Sequence, residues 1–198
     1  MKQVAVASGK EGVGKTTLVA SFSAIQHAII VDCDVDAPNL HIILKPDIDK
    51  KIAYEGMEIA QIDDGMQSAI KMKCEGYATC QLVCPVNAIS MHKRKSGYIF
   101  AGKTRFGKFV YGLLIPEEAS GKLVSQARRL AEEFIIIDAP PGIGCPVIAS
   151  IGNTDLVVVV AEPSMAAIHD MKRILGIVEH LELKQKLRNF AIRKESKS

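Results

Sequence analysis

Near the start of the chain, Gly9-Lys10-Glu11-Gly12-Val13-Gly14-Lys15-Thr16 satisfies the pattern G-x-x-x-x-G-K-[ST]. Glycines at these places let successive backbone N–H groups turn inward around phosphate oxygens, and a helix opening at the last glycine adds positive partial charge. In such a loop Lys15 contacts the β- and γ-phosphates of a nucleotide, and the Thr16 hydroxyl ligates Mg²⁺. A second lysine, Lys10, lies inside the loop, where most lysines are simply solvated. Two acidic groups complete the set. Asp32-Cys33-Asp34-Val35-Asp36 places three carboxylates at alternate positions after an apolar run, where they need water or a cation; Asp36 also suits a turn cap. Asp138 closes another apolar run, the geometry of a carboxylate that holds Mg²⁺ through its water shell or through Thr16.

A different chemistry is suggested by Cys74, Cys80 and Cys84, three of five cysteines, falling within eleven residues. An odd count clustered in this way points to metal or cluster chemistry rather than a disulfide framework. The stretch aligns with the cluster-binding run C-x₂-C-x₂-C-x₃-C-P at its first, third and fourth cysteines and at Pro85, but Tyr77 stands at the second. Three thiolates leave several outcomes open: a [3Fe-4S] cluster, a [4Fe-4S] cluster with another fourth ligand, a zinc site completed by His92, or no metal at all.

These residues must be positioned by a scaffold. Of the 198 residues 48% are hydrophobic and 24% charged, which excludes disordered and collagenous chains and leaves room for a core. The longest apolar stretch, residues 156–161, is six residues, against roughly 20 for a membrane span. The N-terminus lacks the long apolar core of a secretory signal, so a cytoplasmic location is expected. Residues 4–7, 28–31, 134–137 and 156–160 are continuous apolar runs, as strands buried on both faces of a parallel sheet require. Helical periodicity occupies residues 16–26, 121–133 and 165–181. Alternation of the two predicts a doubly wound α/β fold, with ligands beyond the carboxyl ends of the strands. The interval from about 49 to 111 breaks the rhythm and reads as an inserted subdomain. The predicted division is thus a discontinuous domain of residues 1–48 and 112–198 around an insert of 49–111. Net charge is +3, yet residues 184–198 hold six Lys/Arg against one acid, so a basic surface for nucleic acid is not expected.

The stretch Ser8 to Thr17 resembles the deviant Walker A loop, KGGxGKT, of the MinD/ParA/Mrp and nitrogenase-iron-protein superfamily. The resemblance implies that residues 9–17 wrap ATP or ADP and that Lys10 reaches across a nucleotide-sandwich homodimer to the partner's phosphates. Glu11 stands where that family has glycine, which places a carboxylate beside a polyphosphate. By position Asp34 resembles the switch I aspartate that orients the attacking water, with Asp32 helping to hold the metal site. Asp138-Ala139-Pro140-Pro141-Gly142 resembles switch II, bringing Pro140 and Gly142 to the nucleotide. The order of parts, including Thr104-Arg105-Phe106-Gly107, Ser120-Gly121-Lys122 and Glu162-Pro163-Ser164, looks like superfamily ATPases carrying an inserted ferredoxin domain.

The implied function is a Mg²⁺-dependent ATPase, catalytically served by Lys10, Lys15, Asp34 and Asp138, that switches an unidentified protein partner. Cys74, Cys80 and Cys84 would add an iron-sulfur cluster for electron transfer or cluster delivery. Two alternatives stand beside it: a non-hydrolysing nucleotide-binding regulator, and a membrane-associated positioning ATPase using the amphipathic segment after Leu183. Arg193 stands where the family has the asparagine that recognises adenine.

Overall fold

The computed structural model describes residues 2–26, 28–62, 74, 77–114, 120–131, 134–181 and 190–191. Its strands are β1 (Gln3–Ser8), β2 (Ile29–Asp32), β3 (Asp47–Ile62), β4 (Ile89–Thr104), β5 (Gly107–Leu114), β6 (Ile135–Pro141), β7 (Leu156–Ala161) and β8 (Phe190–Ala191). The helices are α1 (Lys15–Ile25), α2 (Leu40–Leu44), α3 (Thr79–Leu82), α4 (Ser120–Arg129), α5 (Cys145–Ile151) and α6 (Met165–His180). The described strands form one sheet in the order β3-β4-β5-β2-β6-β1-β7-β8. From β5 to β8 neighbouring strands are parallel; β4 is antiparallel to β3 on one side and to β5 on the other.

The unbroken apolar runs have the expected cause. Side chains alternate across a strand, so each run supplies both faces of the sheet. Ala5, Ala7, Ile29, Val31, Ile135, Ile137, Val157 and Val159 pack under Leu123, Val124 and Ala127 of α4, Val147 and Ile151 of α5, and Ile174 and Val178 of α6. Their neighbours Val6, Ile30, Ile136, Val158 and Val160 join Phe109 under Val19 of α1 and Leu40 and Leu44 of α2. The doubly wound α/β architecture is therefore present, with helices on both faces.

The interval 49–111 differs from the reading as a separate ferredoxin-like subdomain. β3 and β4 form a long antiparallel hairpin that continues the main sheet, and β5, which lies largely inside that interval, pairs directly with β2 through Ile30↔Phe109, Val31↔Val110 and Asp32↔Tyr111. Glycines, mixed charge and register shifts hide the two-residue period of these strands in the sequence. The connection between the last pair of this hairpin, Ile62↔Ile89, carries the cysteines, and α3 lies within it.

Candidate functional site

Three strand ends converge where the loop begins. The register sets Asp32 opposite Asp138 and Ser8 opposite Pro141. Cys33 N–H donates to the Asp138 carbonyl at 2.9 Å, and Gly142 N–H donates to the Ser8 carbonyl at 3.0 Å. The phosphate-type loop, the first acidic loop and the Pro-Pro-Gly turn are thus fastened to one another at the carboxyl edge of the sheet, where ligands of such folds bind.

Gly12 and Gly14 take φ of 75° and 94°, left-handed values that cost a side chain roughly 1 kcal/mol or more. Gly14 is the N-cap of α1, so the loop turns directly into the positive end of that helix. Lys15, the first helical residue, is 8% exposed, an unusual burial for a lysine. Gly9 is needed for a different reason: a Cβ there would lie 2.3 Å from Asp170 Cβ and 2.9 Å from the Asp170 carbonyl carbon. The loop therefore rests directly on α6.

The carboxylates divide by environment. Asp32 is 1% exposed and accepts from the Asp34 N–H at 3.0 Å and the Leu40 N–H at 3.2 Å, tying both ends of the acidic loop to β2. Burial first, and the Asp138 charge second, push its carboxyl up to about 8. Asp138 is pushed up to about 6, chiefly by burial and further by Asp34; a hydrogen bond from Thr16 and the charge of Lys15 work in the opposite direction. Its Oδ1 is buried without a hydrogen-bond partner among the described residues. Asp34, half-buried, is raised by burial, with Asp36 and Glu11 adding to the rise, while the Ala37 N–H and Lys15 oppose it. An unpartnered buried carboxylate oxygen beside a threonine hydroxyl and a buried lysine fits a hard cation with its oxygen ligands. Thr16 and Asp138 are the residues that would hold Mg²⁺, and loop amides with Lys15 would hold phosphate.

With this geometry, comparison with known proteins is decisive. Residues 4–195 match the model of the CobQ/CobB/MinD/ParA nucleotide binding domain. The chain belongs to this nucleotide-binding family. An uncharacterised protein of Methanocaldococcus jannaschii is 33% identical over 87% of this chain and 72% of its own length. The septum site-determining protein MinD of Buchnera aphidicola is 26% identical over 88% of this chain and 58% of its own. Among solved structures, MinD of Pyrococcus horikoshii complexed with Mg-ADP superposes with a TM-score of 0.58 at 17% identity, covering 97% of this chain and 69% of that one. Cobyrinic acid a,c-diamide synthase of Mycobacterium smegmatis, with bound ADP and magnesium, gives 0.54 at 19% identity, covering 98% and 74%. At these identities the two structures establish the fold.

Other members of the expected site are placed less uniformly. Lys10 is in the loop, but its ammonium group is ion-paired with Glu162 at the end of β7. Glu11 and Thr17 are exposed, Val13 is half-buried and Pro140 is buried. The sequence motif Glu162-Pro163-Ser164 gives Glu162 no role by itself; the available signal is its place at a carboxyl strand end, since β7 adjoins β1.

The cysteines do not assemble into the expected site. Among the described residues no group of three or more His, Cys, Asp or Glu side chains lies close enough to hold a metal ion. Cys74 Sγ instead accepts from the Ala60 N–H at 3.4 Å, and Cys80 is exposed. Tyr77 at the missing cysteine position is 79% exposed. The arrangement fits neither an iron-sulfur cluster nor a Cys₃His zinc site. Arg193 and most of the basic segment after Leu183 lie outside the described residues, and among those described no helix is long and apolar enough to cross a membrane.

Proposed function

We propose that this chain is a Mg²⁺-dependent ATPase of the MinD type, working as an ATP-dependent homodimer that switches a protein partner. The observation that carries the proposal is that buried Lys15 and Asp138 meet half-buried Thr16, with one Asp138 oxygen lacking a hydrogen-bond partner among the described residues. A bound Mg²⁺ would supply charge neutralisation between the β- and γ-phosphates. The chain's own residues do the rest. Loop amides from Gly9 to Thr17 and the N-terminus of α1 orient the triphosphate, and Lys15 neutralises its terminal charge. Asp34, in the acidic loop that follows β2 and near enough to Lys15 to feel its charge, accepts a hydrogen bond from the attacking water and holds it in line. Pro140 and Gly142, anchored to Ser8 through the Gly142 N–H, carry the change in phosphate occupancy into α5.

The homodimer and the trans role of Lys10 follow from the likeness of the loop to the deviant Walker A pattern. The solved MinC:MinD complex of Aquifex aeolicus supports a protein as the switched partner. No iron-sulfur step is included, because the thiols are not gathered. A second reading, a nucleotide-binding regulator without turnover, is favoured by Glu11, whose charge opposes ionisation of Asp34. Calorimetric titration with MgATP and MgADP, beside phosphate release, tests both. The proposal expects binding that falls about 10- to 100-fold in Lys15→Ala, as loss of a charge-assisted contact to phosphate implies, together with slow turnover. Binding without turnover would select the regulator, and no heat from either nucleotide would defeat both.

A further inference from the structure

The Lys10 ammonium is engaged within its own chain. It pairs with Glu162 Oε1, and the same oxygen accepts a hydrogen bond from Ser164 Oγ at 3.1 Å. Ser164 Oγ is also the N-cap of α6, accepting from the Ala167 N–H at 3.2 Å. Ser8 Oγ donates to the Lys10 carbonyl at 2.6 Å, which fixes the backbone from which the lysine extends. The Gly9 contact with Asp170 sets the loop and the start of α6 at a fixed spacing. Lys10 is therefore held on a defined track between two elements 152 residues apart.

We propose that Glu162 is an intrachain latch for Lys10, a positioning residue that sets the threshold at which ATP draws two copies together. The inference rests on the reading of Lys10 as a residue acting across a dimer. The strength of the pair suits the task. Both side chains are about two-fifths exposed, at 38% and 42%, and exposed ion pairs are weak. A triphosphate brought up by a second copy offers several negative oxygens where Glu162 offers one carboxylate, so the lysine transfers readily. Ser164 remains on the Glu162 oxygen after transfer, so the carboxylate keeps a donor and α6 keeps its cap. Without the latch, Lys10 would be available to a partner at all times, and pairing would be less dependent on nucleotide.

The test is Glu162→Gln, which preserves shape and the oxygen that accepts from Ser164; at a half-exposed site it is compatible with folding. Two measurements are made on the whole chain. Acetic anhydride labelling of the nucleotide-free protein, read by mass spectrometry with Lys172 as internal reference, reports the freedom of Lys10. Sedimentation equilibrium across MgATP concentrations reports pairing. The latch predicts labelling of Lys10 about three- to fivefold faster in E162Q, half-maximal pairing at about three- to fivefold lower MgATP, and loss of that advantage in K10A/E162Q. Unchanged Lys10 labelling overturns the latch. Faster labelling with unchanged pairing, in a wild type that pairs on ATP, overturns the threshold role. A wild type that never pairs overturns the dimer reading and the threshold with it, while faster labelling in E162Q would still identify the intrachain contact.

Discussion

Asp32 and Asp138 stand directly opposite one another on neighbouring parallel strands, 1% and 2% exposed, so two carboxyl groups share the same dry edge of the sheet. They are not equivalent. Asp32 uses both oxygens on backbone N–H groups of its own loop, whereas Asp138 accepts from Thr16 and keeps Oδ1 without a hydrogen-bond partner among the described residues. One carboxylate braces the loop; the other has an oxygen free of the bracing bonds.

That asymmetry gives a pH-dependent prediction. The folded state raises the Asp138 carboxyl from 3.8 to about 6. The fold therefore favours the protonated form; this favourable contribution is complete below about pH 4 and is lost as pH rises through about 6. Asp138→Asn should stabilise the nucleotide-free protein at pH 8 by on the order of 2 kcal/mol, or roughly 4–8 °C in Tm, with the gain nearly gone at pH 4. The same variant should lose the stabilisation that MgADP gives the wild type. Scanning calorimetry at the two pH values, with and without MgADP, reads both effects; equal gains at both pH values would contradict the assignment.

In the proposed function Asp34 holds water rather than phosphate. Asp34→Ala is expected to lower ATP turnover by about 10²-fold, the lower range for a positioned base, while MgATP affinity stays within about threefold. Phosphate release and calorimetric titration on one preparation measure the two quantities, and parallel loss of both would reassign the residue to binding.

The contact between loop and α6 predicts a stability defect. Gly9→Ala drives a methyl group against the Asp170 backbone as well as its Cβ, so a rotamer change cannot relieve it. Overpacking of this kind costs about 1–3 kcal/mol. A lower Tm together with weaker binding of a fluorescent ADP analogue is the expected pair of results; a change in neither would show that the loop can lift from α6.

Thiol chemistry separates the cysteines. Burial, reinforced by the Asp32 charge, pushes Cys33 up to about 12, while Cys80 and Cys145 are exposed. Thiolate is the reactive form, so Cys33 should react with a disulfide reagent at pH 8 at least about 100-fold more slowly than the exposed pair until denaturant is added. Peptide mapping of the labelled protein assigns the rates.

The central strands were legible because their function in the fold is uniform: residues such as Ile135, Ile136 and Ile137 face helices on alternate sides, so every position must be apolar. The nucleotide loop was legible because backbone geometry demands glycines at fixed offsets. β3 to β5 were obscured for the opposite reason. Their half-exposed faces accept Lys51, Lys95 and Tyr98, whose ammonium groups lie 4.1 and 4.4 Å from the tyrosine ring, so charge and aromatics interrupt the apolar pattern. α5 was hidden because Pro146 reads as a breaker, although the first turn of a helix has no use for that N–H. The Glu162 contact has little local signature beyond its place at a carboxyl strand end, since its partner is brought near only by the pairing of β1 with β7.

β5 hydrogen-bonds to the hairpin on one side and to β2, the strand that ends in Asp32, on the other. The cysteine-bearing end is thus the tip of a cantilever rooted in the same woven fabric as the carboxylates. A load applied at that tip is borne by the same strand ladder that holds Asp32 beside Asp138.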